Sequence, residues 1–317
     1  MTLSDPDEHE SEEPEDFTSR PSSPLQSGLV SLLPLTESDY PSRLDRQEPP
    51  HEPLSDYGHG GLHPVHINDI LDGRFEVIAK LGDGGFATVW LCLETNTHKW
   101  RAVKIIKAEH SKPENPGLLL VEYLKNRNLG PADWEAAHIQ LPIDHFWIEG
   151  PNGRHLALVL PLLGPAIDTQ LDEDVGTIKH ICLQAAQGLA FLHQHGICHG
   201  DFRPSNILLR LDSIDRLGKK EMITLVERPW TVPSDWYGEE YHGPNYPQYL
   251  VKPVDLSALP IQNNIAIVDF GVAFKASNPA EFTGIPTRYG APEHNFPDLL
   301  IGPASDLWSL AVTIAEL

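Results

Sequence analysis

The segment His199–Leu209 constrains the fold more than any other part of the chain, because it sets two polar groups at a characteristic spacing. Asn206 follows Asp201 by five positions, and the apolar run Ile207–Leu209 comes directly after it. In this arrangement Asp201 can accept the proton of an attacking hydroxyl group, and Asn206 can reach a Mg²⁺ ion. The segment therefore predicts a catalytic loop.

A second acidic candidate follows a short apolar run, Ile265–Val268, which has the character of a strand. This run delivers Asp269, whose carboxylate suits a Mg²⁺ ion that bridges phosphate groups. The sequence Asp-Phe-Gly is common by chance, but chance is a poor explanation downstream of the Asp201–Asn206 spacing. Asn206 and Asp269 are therefore the predicted metal ligands.

A glycine-rich turn, Gly82–Val89, lies between two strand-like runs and not between a strand and a helix. Gly82 and Gly84 lack Cβ atoms, so the backbone can fold tightly over phosphate groups. The strand-turn-strand context separates a nucleotide flap from the fingerprint of a dinucleotide-binding βα unit. Lys104 follows in a third strand-like run, Lys99–Ile106.

The order of these elements predicts an α+β fold. Strand-like runs come first, and the amphipathic helix Gly176–Gln194, with apolar residues three and four apart, comes later. Such an order is typical of a small sheet lobe followed by a helical lobe. Residues 1–55 are rich in Ser, Pro, Asp and Glu and predict a disordered tail. Residues 210–262 interrupt this succession of strand-like and helical runs, which predicts a surface insertion.

Composition narrows the class of protein further. The formal net charge is −22, about half of it in the first sixty or so residues, which argues against a nucleic-acid-binding surface and is compatible with a basic protein substrate. The three cysteines have no paired or metal-ligand spacing, and the N-terminus does not have the pattern of a secretory signal. The apolar runs are too short to span a membrane. We therefore expect no membrane association and a cytoplasmic or nuclear location.

Taken in order, these motifs resemble those of eukaryotic protein kinases. Gly284–Glu293 resembles the end of an activation segment, and Asp306–Leu310 follows at a kinase-like distance. Ahead of the flap, Tyr57–Ile70 is similar to the entry segment of the SR-protein-kinase (SRPK) family, where Gly-Gly-x-His-Pro-Val precedes the first strand. The resemblance implies a bilobal protein-kinase-like fold, with an antiparallel-sheet lobe at 56–163 and a mainly helical lobe at 164–317.

The resemblance also implies roles for individual residues. Lys104, held by Glu122 on the first helix, would position the α- and β-phosphates of ATP, and Arg203 would offset charge on the transferred phosphoryl group beside Asp201. At the hinge between the two lobes, Pro161 would offer only its carbonyl to the adenine of ATP, and Leu163 would supply the N–H. The implied nucleotide contacts are Leu81, Gly82, Gly84, Gly85, Phe86, Val89, Ala102, Lys104, Pro161 and Leu163.

The implied activity is that of a monomeric serine/threonine kinase that uses ATP and Mg²⁺. Its implied substrates are Arg/Ser-rich proteins such as splicing factors, which would connect it with the regulation of mRNA splicing. Three positions depart from the family pattern. Gly200 stands where many kinases have an arginine, Arg203 stands where a lysine is usual, and Thr287–Gly290 is one residue shorter than in related kinases.

Two other functions are compatible with parts of the pattern. The helix expected at Asp306–Leu317 is apolar on nearly every face. This pattern predicts a truncated helical lobe and leaves open a pseudokinase, or an inactive fragment that acts as a binding module. A small-molecule phosphotransferase of the aminoglycoside-kinase type shares the His-Gly-Asp-x4-Asn spacing. Such enzymes lack the activation segment that ends in Ala291–Glu293.

Overall fold

The computed structural model describes residues 51–168, 174–281, 283–296 and 298–317. Residues 1–50 of the predicted tail lie outside these ranges. The last residues of that predicted tail, 51–55, are packed against the folded domain, since Glu52 and Leu54 are buried. The prediction of disorder up to residue 55 is therefore wrong at its C-terminal end.

An antiparallel sheet forms the first half of the described chain. Its six strands are β1 (Ile70–Leu71), β2 (Phe75–Gly84), β3 (Ala87–Glu94), β4 (Lys99–Ile106), β5 (Asp144–Gly150) and β6 (Gly153–Pro161). They lie side by side in the order β1-β2-β3-β4-β6-β5. Alternating apolar residues give the sheet two buried faces. Trp90 and Val103 lie on the face that we call outer, whereas Leu91 and Trp100 lie on the inner face.

The second half is mainly helical. Its helices are α1 (Pro116–Lys125), α2 (Pro131–Ala136), α3 (Val175–Gln194), α4 (Lys219–Leu225) and α5 (Pro303–Glu316). The predicted helix at 176–194 is confirmed as α3, whose first turn is capped by the Asp174 carboxylate accepting the Gly176 N–H at 2.6 Å. Leu189 and Leu192 of α3 pack in a large buried cluster with Phe202 and Leu124.

Short antiparallel strand pairs hold the loop that follows α3. Strand β7 (Ile197–Cys198) pairs with β12 (Phe274–Lys275), and β8 (Ile207–Leu211) pairs with β11 (Ile261–Ile267). The loop between β7 and β8 is therefore fixed at both ends, and it carries the predicted catalytic groups.

The segment 210–262, predicted to be a surface insertion, is not confined to the surface, because it supplies core residues to both faces of the sheet. Met222 of α4 is fully buried in the inner-face cluster with Trp100. Strands β9 (Thr231–Pro233) and β10 (Tyr249–Val251) form a hairpin, and Val251 packs in the outer-face cluster. The insertion carries enough apolar residues to be folded around the edge of the sheet at β2.

Helix α5 buries one side and exposes several large apolar residues on the other. Leu310 and Asp306 are buried, whereas Leu307 and Trp308 are 54% and 48% exposed. Within the described ranges, every helix is too short or too polar to cross a lipid bilayer.

Shortening a buried side chain of α4 tests whether the insertion is part of the folding unit. We expect Met222→Ala to lower the free energy of unfolding by about 2–5 kcal/mol, because it opens a cavity between the insertion and the sheet. The matched variant Lys220→Ala, at an exposed position of the same helix, should change it by no more than about 0.5 kcal/mol. Urea unfolding measures both, and equal midpoints for the two variants would contradict the packing described above.

Candidate active site

A cavity of about 690 Å³ lies between the inner face of the sheet and the loops of the helical half. All of the predicted nucleotide contacts line it, and they are Leu81, Gly82, Gly84, Gly85, Phe86, Val89, Ala102, Lys104, Pro161 and Leu163. Asp201, Arg203, Asn206 and Asp269 line the same cavity. The structure thus brings together every predicted site residue except Glu122.

The glycine turn joins β2 to β3 and forms the rim of the cavity. Gly84 pairs with Ala87, so that Gly85 and Phe86 form the tip of the hairpin. A Cβ atom added at Gly82, Gly84 or Gly85 would meet no protein atom within 4 Å. Packing inside the protein therefore does not require these glycines. A side chain there would instead occupy space at the cavity rim, which fits a turn that closes over a phosphorylated ligand.

The predicted catalytic loop is anchored by a buried carboxylate from α5. Asp306 accepts the backbone N–H groups of His199 and Gly200 at 2.8 and 3.0 Å, and the His193 Nε2 atom lies 3.0 Å from it. His199 is itself completely buried and donates from Nε2 to the Val268 carbonyl at 3.0 Å. Its Nδ1 atom accepts the N–H of Asp201. The backbone before Asp201 is thus held on both sides.

Asp201 has one carboxylate oxygen that accepts hydrogen bonds and one that accepts none among the described residues. The Asn206 Nδ2 group donates to Oδ2 of Asp201 at 2.8 Å and also to its backbone carbonyl at 2.8 Å. Arg203 Nε donates to the same Oδ2 at 3.2 Å. The Oδ1 atom is buried and accepts no hydrogen bond from the described residues, although the Arg203 Nε atom lies 3.2 Å from it as an ion-pair contact. A buried acceptor without a hydrogen bond is costly, so this oxygen is suited to a donor that arrives with a substrate.

Lys104 and Asp269 form a direct ion pair across the cavity. The Lys104 Nζ and Asp269 Oδ1 atoms are 2.7 Å apart. The Lys104 ammonium holds the pKa of the Asp269 carboxyl below its ordinary value, against the opposing effect of burial. Asp269 has a φ of +61°, a left-handed conformation that is unusual for a residue with a side chain. Such strain is concentrated at functional sites.

The predicted contact between Lys104 and Glu122 is wrong. Helix α1 buries Gly117, Leu120 and Leu124, whereas Glu122 is exposed and belongs to none of the ion pairs among the described residues. Positions two apart on a helix do not share a face, so Glu122 turns away from the side that carries Leu120. The ion pair to Asp269 takes the place of the expected one.

Gly200 needs its glycine for a local reason. Its φ is +81°, and a Cβ atom there would lie 2.9 Å from the Val272 carbonyl oxygen and 3.3 Å from the side chains of Phe274 and Thr283. The left-handed conformation and the lack of space both exclude a side chain. The departure from the arginine of many kinases is therefore built into the packing of this loop.

Sequence reasoning missed part of the cavity wall. Val254, Asp255 and Leu256 of the insertion line the cavity opposite the helical half, and so does Asp83 of the glycine turn. The N–H of Val254 donates to the Lys80 carbonyl of β2 at 2.9 Å. The only sequence signal is a pair of apolar residues flanking an acid in a stretch otherwise rich in polar and proline residues, which is too weak to assign to a site.

Known proteins similar to this chain include several protein kinases. A family model of the protein kinase domain matches residues 75–219. SRSF protein kinase 3 of Homo sapiens is 36% identical over 173 residues, which are 52% of this chain and 30% of the relative. Serine/threonine-protein kinase spk-1 of Caenorhabditis elegans is 31% identical over 176 residues, or 53% of this chain and 18% of the relative.

Protein kinase dsk1 of Schizosaccharomyces pombe is 30% identical over 207 residues, which are 62% of this chain and 37% of that protein. The chain thus spans well under half the length of these relatives. A crystal structure of a kinase domain matches with a TM-score of 0.53 at 23% identity, over 80% of this chain and 66% of that chain. This likeness confirms the predicted α+β, bilobal protein-kinase fold.

Removing the lysine of the ion pair should change how Asp269 titrates. We expect Lys104→Met to raise the pKa of the Asp269 carboxyl, because the stabilising cation is lost while burial remains. A carboxylate with a lowered pKa stabilises the fold above its unfolded pKa and loses that contribution as the pH falls through its folded pKa. The loss of unfolding free energy in this variant should therefore be greatest near neutral pH and shrink in acid.

Carboxyl ¹³C NMR titration and unfolding at several pH values measure the two effects. Lys99→Met is the matched control, since Lys99 lies at the exposed start of the same strand. An Asp269 pKa that does not differ between Lys104→Met and the unsubstituted protein would show that the ion pair has no part in it.

Proposed function

We propose that this chain, which carries a protein-kinase domain related to the SR-protein kinases, is a serine/threonine protein kinase that uses ATP and Mg²⁺. One observation carries the proposal. Lys104, Asp201, Asn206 and Asp269 come from separate segments and converge on one cavity beneath a glycine turn. Phosphoryl transfer depends almost entirely on such positioning and on electrostatic stabilisation, so this convergence is the feature that it needs.

The residues present fit a nucleotide and a metal ion. The glycine turn leaves space at the rim, and the Lys104 ammonium is placed to attract phosphate groups. Both donor contacts of the Asn206 amide go to Asp201, which leaves its oxygen available as a metal ligand beside the Asp269 carboxylate. When bound, Mg²⁺ and ATP supply the phosphoryl group and the charge neutralisation that its transfer requires.

Asp201 is the proposed acceptor of the substrate hydroxyl proton. Its Oδ2 atom is fixed by Asn206 and Arg203, and its Oδ1 atom accepts no hydrogen bond from the described residues. An oriented carboxylate with one oxygen that can still accept a hydrogen bond can align a serine hydroxyl for attack. Arg203 also lines the cavity, where its charge would offset the negative charge of the transferred group.

The proposed substrates are Arg/Ser-rich proteins. Two lines of support are the net charge of −22, which favours a basic partner, and the similarity to SRSF protein kinase 3 and dsk1. The proposed location is the cytoplasm or nucleus, since the three cysteines are free thiols.

A second candidate is a nucleotide-binding module without transferase activity. The observation that favours it is the exposure of Glu122, which leaves Lys104 paired with the metal-site carboxylate of Asp269. In an active kinase of this type, the lysine and a helix glutamate are expected to pair. Measuring nucleotide binding and phosphoryl transfer separately distinguishes the two candidates.

The decisive variant is Asp201→Asn, which removes the proton acceptor but keeps the size of the side chain. We expect the purified chain to transfer phosphate from [γ-³²P]ATP to an Arg/Ser-repeat peptide, and we expect this variant to lose about 100-fold or more of kcat. ATP affinity should be unchanged, because Asp201 acts on the hydroxyl and not on the nucleotide.

Asp235→Asn, at an exposed position of the insertion, is the matched control and should retain full activity. A Lys/Ser-repeat peptide tests whether arginine is preferred. ATP binding without transfer would support the nucleotide-binding module, and equal activity of Asp201→Asn and the unsubstituted chain would remove Asp201 from the mechanism.

A further inference from the structure

A lysine is completely buried in the strand that carries the glycine turn. Lys80 of β2 has no exposed surface, although lysines are almost never fully buried unless they are paired. Lys80 does not line the cavity, so nucleotide binding does not explain its burial. Its partners must therefore account for its position.

Two carboxylates from different parts of the chain surround the Lys80 ammonium. Glu52, itself buried, forms an ion pair with it, and the Asp83 Oδ1 atom lies 2.8 Å from Nζ. The Tyr57 hydroxyl donates to the other Glu52 oxygen at 2.5 Å. Burial, followed by the Glu52 charge, raises the pKa of Tyr57 well above its ordinary value, so this hydroxyl stays protonated and remains a donor. The buried groups thus form a satisfied network.

This network reaches from the outer face of the sheet to the cavity rim. Lys80 pairs with Trp90 of the outer face, and the register then shifts before Gly82 pairs with Val89. Successive strand residues point to opposite faces, so Leu81 lines the cavity while Lys80 does not. The shift at Leu81 is a bulge, and its extra residue brings Asp83, which pairs with Thr88, back to the face of Lys80. Asp83 also lies at the cavity rim, so its ion pair with Lys80 links the rim to the buried network.

The backbone of the same residue is held by the insertion. The Lys80 carbonyl accepts the Val254 N–H at 2.9 Å. This contact lies on the edge of β2 away from β3, where β1 pairs only with Phe75 and Glu76. The segment before the first strand and the insertion therefore both fasten β2 at Lys80. The glycine turn begins two residues later.

We propose that Glu52, Lys80 and Asp83 are positioning residues that hold the glycine turn over the nucleotide. The inference rests on the proposed function in that the turn is taken to cover ATP. The ion pair with Lys80 fixes Asp83 and so orders the backbone of the turn before a ligand arrives. This order lowers the entropy cost of binding. The segment around Glu52 would then set ATP affinity without touching ATP.

The test uses Asp83→Asn in the full chain, because Asp83 is only partly buried and its loss should not unfold the domain. We expect faster hydrogen exchange of the backbone amides at 82–88 in the nucleotide-free protein. We also expect ATP affinity to weaken about two- to fivefold, the change that a partly exposed ion pair is worth. If transfer occurs, KM for ATP should rise by the same factor while kcat stays constant.

Asp72→Asn is the matched control. Asp72 also forms an ion pair just before β2, with its Oδ2 atom 2.9 Å from Arg74 Nε, but it lies away from the cavity. It should change neither exchange at the turn nor ATP affinity. Asp83→Glu keeps the carboxylate and should restore most of the protection.

Exchange is measured without nucleotide, so its result does not depend on kinase activity. Absence of phosphate transfer would contradict the proposed function. Faster exchange in Asp83→Asn would still support the network in that case. Exchange and ATP affinity that match those of the unsubstituted protein would overturn the inference, even in an active kinase.

Discussion

The arrangement of the site depends on the buried carboxylate of Asp306. It is the acceptor for two consecutive N–H groups of the catalytic loop and the partner of His193 from α3. Backbone donors buried without an acceptor cost about 1–3 kcal/mol each, so the loop has little freedom to leave this conformation. Asp201 follows directly, and its own contacts to Asn206 only refine a position that α5 has already set.

The sheet half depends on segments that are distant in the sequence. The insertion covers the inner face through Met222 and reaches the outer face through Val251, and residues near Glu52 complete the outer side. Small sheets of this kind need apolar cover on their faces to be stable. Here the cover passes around the edge of β2, the strand that carries the glycine turn, so the elements that stabilise the sheet also contact the ligand cavity.

The local parts of the site could be predicted from the sequence, because short spacings fix them. Asp201 and Asn206 share one loop, so their spacing alone brings them close. Asp269 could be assigned from the apolar strand before it, but it reaches the other two through the pairing of β11 with β8. Glu122 was misplaced because three consecutive leucines obscure the phase of α1, whose buried positions are Gly117, Leu120 and Leu124. The Lys80 network was out of reach, since its members meet only through tertiary packing and a β-bulge that no residue pattern marks.

The packing around Gly200 limits how this protein could change. In many kinases, an arginine at this position allows a phosphate on the activation segment to report on the catalytic loop. Here the carbonyl of Val272 and the side chains of Phe274 and Thr283 occupy the space that the first carbon of any side chain would need. A single Gly200→Arg replacement would disrupt the β7–β12 contact before it created a phosphate receptor. Control by this route is therefore closed to the chain unless the neighbouring strand changes first.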